Sequence, residues 1–194
     1  MTSRTEYYRI AFLTTANQLT ILRICFVPAF IILLSYREIG WALGTFVVAG
    51  LTDVLDGIIA RRLGQNTSIG AVLDPLADKL LMVTSVIILS MPQMELLNTI
   101  PRWLMITMIF RDVFLLLTSL IVVLMVGWRL FKPSPYGKAS TVLQVFMVLA
   151  VLYTNWMGVV VPELSILFYM TGIMTAFSGL HYLLTGRQYL NLSE

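Results

Sequence analysis

Cysteine and histidine are almost absent from this chain. Cys25 and His181 are the only representatives in 194 residues. A lone cysteine excludes an internal disulfide, and the two together are too few for a zinc site of thiolates and imidazoles. Charge is scarce as well: Asp, Glu, Lys and Arg supply 12% of the residues, and the net charge is only +3. So little polar material cannot cover the core of a water-facing globule of this length. So weak a net charge also gives no basis for a nucleic-acid partner. Internal repeats and low-complexity segments are missing too. The first twenty residues lack the charged-then-apolar order and the cleavage site of a secretory signal, so this segment is expected to stay on the mature protein.

What remains is apolar. Hydrophobic residues make up 58% of the chain, and the mean hydropathy is +0.87. Mostly apolar runs of about 18 residues or more read as transmembrane helices, and six are expected: 17–36, 41–61, 71–91, 103–127, 139–159 and 162–185. The fold class is therefore all-α, a six-helix integral membrane bundle forming one domain over residues 1–194. A short helix from Ser3 to Ala16, with Tyr8, Phe12 and Leu13 on its apolar side, is expected to lie in the membrane interface. Turn-rich or proline-containing joints separate the spans, among them Gly64–Ser68, Pro92–Pro101 and Phe131–Gly137. In this layout Arg4, Arg9, Arg61, Arg62, Arg129, Lys132, Lys138 and Arg187 share one side, and Arg37 and Arg102 the other. The bias places both termini, and the joint between spans two and three, in the cytoplasm of a multi-pass inner or plasma membrane protein.

That joint carries an anomaly. Four of the five aspartates fall between Asp53 and Asp78. Asp53 and Asp56 are three apart and Asp74 and Asp78 four apart, so each pair shares one helix face. A short connection makes the two helices antiparallel neighbours, and all four carboxylates can converge near the cytoplasmic headgroups. Four like charges in a low-dielectric site repel one another and are costly to desolvate, so a cation must neutralise them. Oxygen-only ligands favour hard divalent ions such as magnesium, manganese or calcium. Four carboxylates suffice for two ions, a known clamp for phosphoryl displacement.

Small residues surround the acids. Gly57 follows Asp56, Gly70 sits one turn before Asp74, and Ala60 keeps the same wall low. Glycine inside a helix costs about 1 kcal/mol against alanine, a loss that makes sense where a ligand must approach the backbone closely. Arg61 and Arg62 add fixed positive charge suited to phosphates. Small walls, metal-ready carboxylates and adjacent arginines suit a diphosphate ligand.

The stretch reads D-x2-D-G-x2-A-R-x8-G-x3-D-x3-D without a departure, through Asp53, Asp56, Gly57, Ala60, Arg61, Gly70, Asp74 and Asp78. This resembles the signature of the CDP-alcohol phosphatidyltransferases, and the likeness extends to length and six-span layout. Asn17–Arg23 and Gly137–Gln144 resemble segments of the phosphatidylglycerophosphate synthase and cardiolipin synthase branches. The resemblance implies that Asp53, Asp56, Asp74 and Asp78 hold two divalent ions, Mg2+ or Mn2+, at the diphosphate of CDP-diacylglycerol. It implies that Asp78 is general base on the acceptor hydroxyl, that Arg61 contacts the diphosphate, and that Gly57, Ala60 and Gly70 make room for the nucleoside. It also implies a homodimer.

The acceptor is less sharply specified. Phosphatidylglycerophosphate synthases tend to carry Arg-Glu in the fourth span, whereas eukaryotic-type cardiolipin synthases carry Arg-Asp-Val, as here at Arg111-Asp112-Val113. That favours phosphatidylglycerol. Small members with this kind of N-terminus are more often glycerol 3-phosphate enzymes, and Arg111 and Lys138 can serve a phosphorylated acceptor. Glycerol 3-phosphate is the leading expectation, phosphatidylglycerol the alternative and an inositol phosphate a third. Arg111-Asp112 also reads as an internal ion pair that only tethers helices. An ion transporter would place its acids near the midplane, and a membrane polyprenyl transferase would carry two separated acidic motifs on a longer chain. His181 is expected to be a packed or interfacial residue, and Gly172 and Gly179 to permit a close helix contact or a dimer seam.

Overall fold

The structure is a computed structural model. It describes the backbone of residues 15–63, 70–126 and 135–190, and side chains within 25–52, 79–118 and 135–182. Among the described residues six helices follow in order: α1 (Thr15–Ser35), α2 (Ile39–Leu63), α3 (Gly70–Leu89), α4 (Arg102–Val126), α5 (Pro135–Trp156) and α6 (Leu164–Leu190), with one 3-10 turn at Pro92–Met94. No strand occurs among the described residues. Each helix overlies one apolar run, because unbroken hydrophobic sequence satisfies its backbone polar groups best within itself. Within the described residues, Pro135–Trp156 and Leu164–Tyr182 are long and apolar enough to cross a bilayer. The expected helix over Ser3–Ala16 lies almost wholly outside the described residues.

The chain divides into two compact units, Met1–Glu95 and Leu96–Glu194. In the first, α1 packs against both α2 and α3. Phe30 of α1 is fully buried against Phe46 of α2, with ring centroids 6.0 Å apart. Pro28 lies inside α1, where it removes one backbone donor. The helix ends with Arg37 in the left-handed region at φ 60°. Its N–H donates to the Leu34 carbonyl and that of Glu38 to the Leu33 carbonyl, a Schellman closure without the usual glycine. Arg37 pairs on the surface with Glu95.

In the second unit α6 packs against α4 and α5. A polar clasp fastens the start of this unit to the α5–α6 turn. Asn98 donates from its backbone N–H to Asn155 Oδ1 (3.1 Å) and from Nδ2 to the Val159 carbonyl (2.7 Å). Asn155 Nδ2 donates to the Asn98 carbonyl, and Val161 N–H to Asn98 Oδ1. The α5 end is closed by Gly158 at φ 67°, a conformation glycine adopts without steric cost.

Gly172 of α6 fills a different need. A Cβ there would lie 2.6 Å from Cζ3 and 2.9 Å from Cη2 of Trp103 on α4, so the indole occupies the missing side chain's space. Trp103 also stacks on Tyr169, with centroids 5.5 Å apart. The close contact expected at Gly172 is thus made by a tryptophan of the same chain. Gly172→Ala is expected to destabilise the protein by about 1–3 kcal/mol through overpacking, read as a lower melting temperature in detergent. Trp103→Leu in the same chain should restore most of the loss.

Among the described residues of both units many large apolar side chains are exposed, Ile32, Val48, Leu51, Phe110, Val142, Ile166 and Ile173 among them. Exposed apolar surface of this kind suits hydrocarbon rather than water. Trp41, Trp103 and Trp156 are exposed at helix ends, the positions an aromatic belt uses.

Candidate functional site

The acidic stretch divides between two helices. Asp53, Asp56, Gly57, Ala60 and Arg61 are carried by α2, which runs unbroken to Leu63, while Gly70 opens α3, followed by Asp74 and Asp78. Side chains from Asp53 to Asp78 lie outside the described residues. Their register is set by the helices that carry them. On α2 the buried residues Ala42, Phe46 and Ala49 advance by four and three, and the same steps lead to Asp53, Asp56 and Ala60. On α3 the buried residues are Leu81, Met82, Ser85, Val86, Ile88 and Leu89. Stepping back three or four from Leu81 and Met82 reaches Asp78, and four further reaches Asp74. Both pairs thus continue the spacing of three and four shown by the buried residues in the described parts of their helices. No cluster of three or more metal-ligating side chains occurs among the described residues.

The second unit holds a buried polar network that the sequence only half announces. Arg111 and Asp112 on α4 are each 5% exposed. Arg111 Nη1 donates to Asp112 Oδ1 (2.8 Å), and Nη2 donates to Ser178 Oγ on α6 (2.9 Å) and to the Gly137 carbonyl on α5 (3.4 Å). The guanidinium thereby ties three helices together. Lys138, the next residue along α5, is exposed. The structure thus sets Arg111 beside the residue preceding Lys138, with the two basic groups in different surroundings.

Around this pair lie hydroxyls and one amide that the sequence reading passed over. Gln144 Nε2 donates to Thr175 Oγ1 (3.1 Å), and Ser140 Oγ lies 3.3 Å from the same oxygen. Ser140, Gln144, Thr171, Thr175 and Ser178 are all buried. Polar residues recurring at helical spacing inside apolar helices are the signal that would have marked them. His181 is half-buried, its ring 4.8 Å from that of Tyr136 and 6.5 Å from Tyr182, the packed role expected of it.

Between α4 and α6 opens a cavity of about 360 Å³, with Thr107, Phe110, Arg111 and Phe114 on one wall and Thr175, Ala176, Gly179 and Leu180 on the other. The lining is almost wholly apolar. Gly179 keeps its wall low: a Cβ there would meet Arg111 Cγ at 3.7 Å, an ordinary contact.

The sequence model of CDP-alcohol phosphatidyltransferases matches residues 13–178. The chain is 33% identical to "Cardiolipin synthase (CMP-forming)" of Homo sapiens, over 90% of this chain and 62% of the human protein. It is 43% identical to "CDP-diacylglycerol--glycerol-3-phosphate 3-phosphatidyltransferase" of Pseudomonas fluorescens, over 44% of this chain and 45% of that protein. The chain spans about three-fifths of the curated relatives that it matches over most of its own length, 62% of the human protein and 59% of one from Mycobacterium tuberculosis.

Proposed function

The chain belongs to the CDP-alcohol phosphatidyltransferase family, and we propose that it transfers the phosphatidyl group of CDP-diacylglycerol to an alcohol and releases CMP. What supports this reading is the family match over residues 13–178 together with the three- and four-residue spacing of the aspartate pairs on two continuous helices. Carboxylates held at such positions need a partner cation. An oxygen-only donor set fits Mg2+ or Mn2+, and Asp53, Asp56, Asp74 and Asp78 would hold two ions. Bound there, the ions supply charge neutralisation of the diphosphate and of the departing CMP.

The chain's own residues do the rest. Asp78 takes the proton from the acceptor hydroxyl as its oxygen bonds to the phosphatidyl phosphorus. The anhydride bond to CMP breaks, and CMP leaves with the electron pair. Arg61 contacts the diphosphate, while Gly57, Ala60 and Gly70 leave room for the cytidine and ribose. One catalytic domain covers the chain in this reading, since the family match runs through both compact units. The six helices cross the membrane as six spans, with both termini and the acidic joint cytoplasmic, and two copies form a homodimer.

The acceptor is a glycerol hydroxyl bound with the help of Arg111 and Lys138. Glycerol 3-phosphate is the first reading, in keeping with the Pseudomonas fluorescens relative. Phosphatidylglycerol is the second, favoured by the sequence Arg111-Asp112-Val113 and by the human relative, whose match covers most of this chain. The test supplies purified protein, CDP-diacylglycerol and Mg2+ with glycerol 3-phosphate, phosphatidylglycerol or inositol phosphate in parallel. CMP release that stops with EDTA and resumes with added Mg2+ is expected with one glycerol acceptor. No release with any of the three would overturn the transferase reading.

A further inference from the structure

A polar seam joins α5 to α6. Gly137, Ser140 and Gln144 follow one another at steps of three and four on α5, and all three are buried. Thr175 and Ser178 meet them from α6, both fully buried. Thr175 Oγ1 accepts from Gln144 Nε2 (3.1 Å) and lies 3.3 Å from Ser140 Oγ. One turn nearer the start of α5, Ser178 Oγ accepts from Arg111 Nη2 (2.9 Å), and the same nitrogen donates to the Gly137 carbonyl (3.4 Å). Thr141 Oγ1 donates to that carbonyl as well (3.1 Å). The seam thus grips α5 at two successive turns.

Stability does not explain it. Interhelical hydrogen bonds in a membrane add little, because separated helices find other partners. Gln144 Oε1 is buried without a donor among the described residues, which costs free energy. What a hydrogen-bonded seam adds over an apolar one is a single register. The Asn98–Asn155 clasp cannot supply that register, since it holds the far end of α5, about 30 Å along the helix from Pro135.

The residue whose direction the seam fixes is Lys138. It follows Gly137 directly, about 100° around the helix, and it is exposed where Gly137 and Ser140 are buried. Turning α5 by one residue step would swing Lys138 toward α6. We propose that Thr175 and Ser178 are positioning residues of the transfer reaction: they hold α5 in one rotation and so aim the Lys138 ammonium group at an acceptor phosphate. The assignment rests on the transferase reading only for what Lys138 meets.

The test supplies the full chain with CDP-diacylglycerol, Mg2+ and either glycerol 3-phosphate or phosphatidylglycerol. Lys138→Met should raise the KM for the acceptor used about tenfold, the worth of one charge-assisted hydrogen bond. Thr175→Val with Ser178→Ala removes both hydroxyls. It should raise that KM about fivefold and leave kcat and the KM for CDP-diacylglycerol unchanged. Adding Lys138→Met to the pair should raise the acceptor KM no further than Lys138→Met alone, because the seam acts through that lysine. Thr175→Ser with Ser178→Thr keeps both hydroxyls and should match the unmodified chain. Orientation is read without activity. In a Cys25→Ser chain, spin labels at Lys138→Cys and at Ile173→Cys, an exposed position on α6, should show one narrow distance. That distance should broaden when both hydroxyls are removed. Acceptor effects that multiply, an acceptor KM unmoved by Lys138→Met or by loss of the hydroxyls, or a distance indifferent to them would overturn the proposal. No CMP release with either acceptor, together with a distance that the hydroxyls keep narrow, would instead sink the transferase reading and leave the fixed direction of Lys138 standing.

Discussion

Asp78→Asn is expected to lower CMP release by about 10²- to 10⁴-fold, the span typical of losing a positioned general base. Asparagine keeps the size and one carbonyl oxygen of the side chain but cannot take up the acceptor's proton. Asp53→Asn provides the contrast. It removes charge from the metal ligands without touching proton transfer, so raising Mg2+ should restore part of its activity. Asp78→Asn also loses a metal ligand, but saturating Mg2+ should leave its rate low, because the proton acceptor is still missing. The measurement is the initial rate of CMP release against Mg2+ concentration, with helicity and melting temperature followed alongside. Full activity in Asp78→Asn, or its rescue by metal, would show that the proton goes elsewhere.

The second large effect is on stability. Arg111→Met should destabilise the chain by about 3–5 kcal/mol, the usual result of removing one member of a buried ion pair. The side chains of Arg111 and Asp112 are only 6% and 7% exposed, so the carboxylate loses its guanidinium in a place where water cannot replace it. Ser178 Oγ and the Gly137 carbonyl lose a donor at the same time. The double variant Arg111→Met with Asp112→Leu should recover much of the stability, since buried pairs replaced by apolar residues are often neutral. Its kinetics then separate two roles. If Arg111 only tethers α4 to α5 and α6, activity returns with stability. If it contacts the acceptor, the double variant melts normally but keeps a KM for acceptor raised about tenfold or more.

Much of this architecture was legible in the sequence because a hydrocarbon environment leaves little choice. Long apolar runs must be helical, and prolines and polar residues mark the joints, so α1 to α6 begin and end within a few residues of the expected spans. The acid spacing could be read for the same reason: steps of three and four mean one helix face wherever the helix is sure. What the sequence hid depends on partners far along the chain. Ser178 is 67 residues from Arg111, and nothing local announces that they meet. Gly172 is expected to permit a close helix contact, and it does so with α4, but nothing local shows that Trp103, which reads only as an interfacial aromatic, is the side chain that fits it. The α4–α6 cavity was invisible for a similar reason, since a hollow is a property of two walls and neither wall is unusual alone.

The Asn98–Asn155 clasp bears on the order in which the chain acquires its form. Its bonds join residues 57, 61 and 63 positions apart, and everything between them belongs to α4, α5 and the connections around them. None of these bonds can close until synthesis has passed Asn155, and the last waits for Val161. Until then the turn before α4 holds buried-type polar groups with no partner but water or headgroups. The clasp therefore closes late in assembly, joining the turn before α4 to the far end of α5 only after both helices have been made.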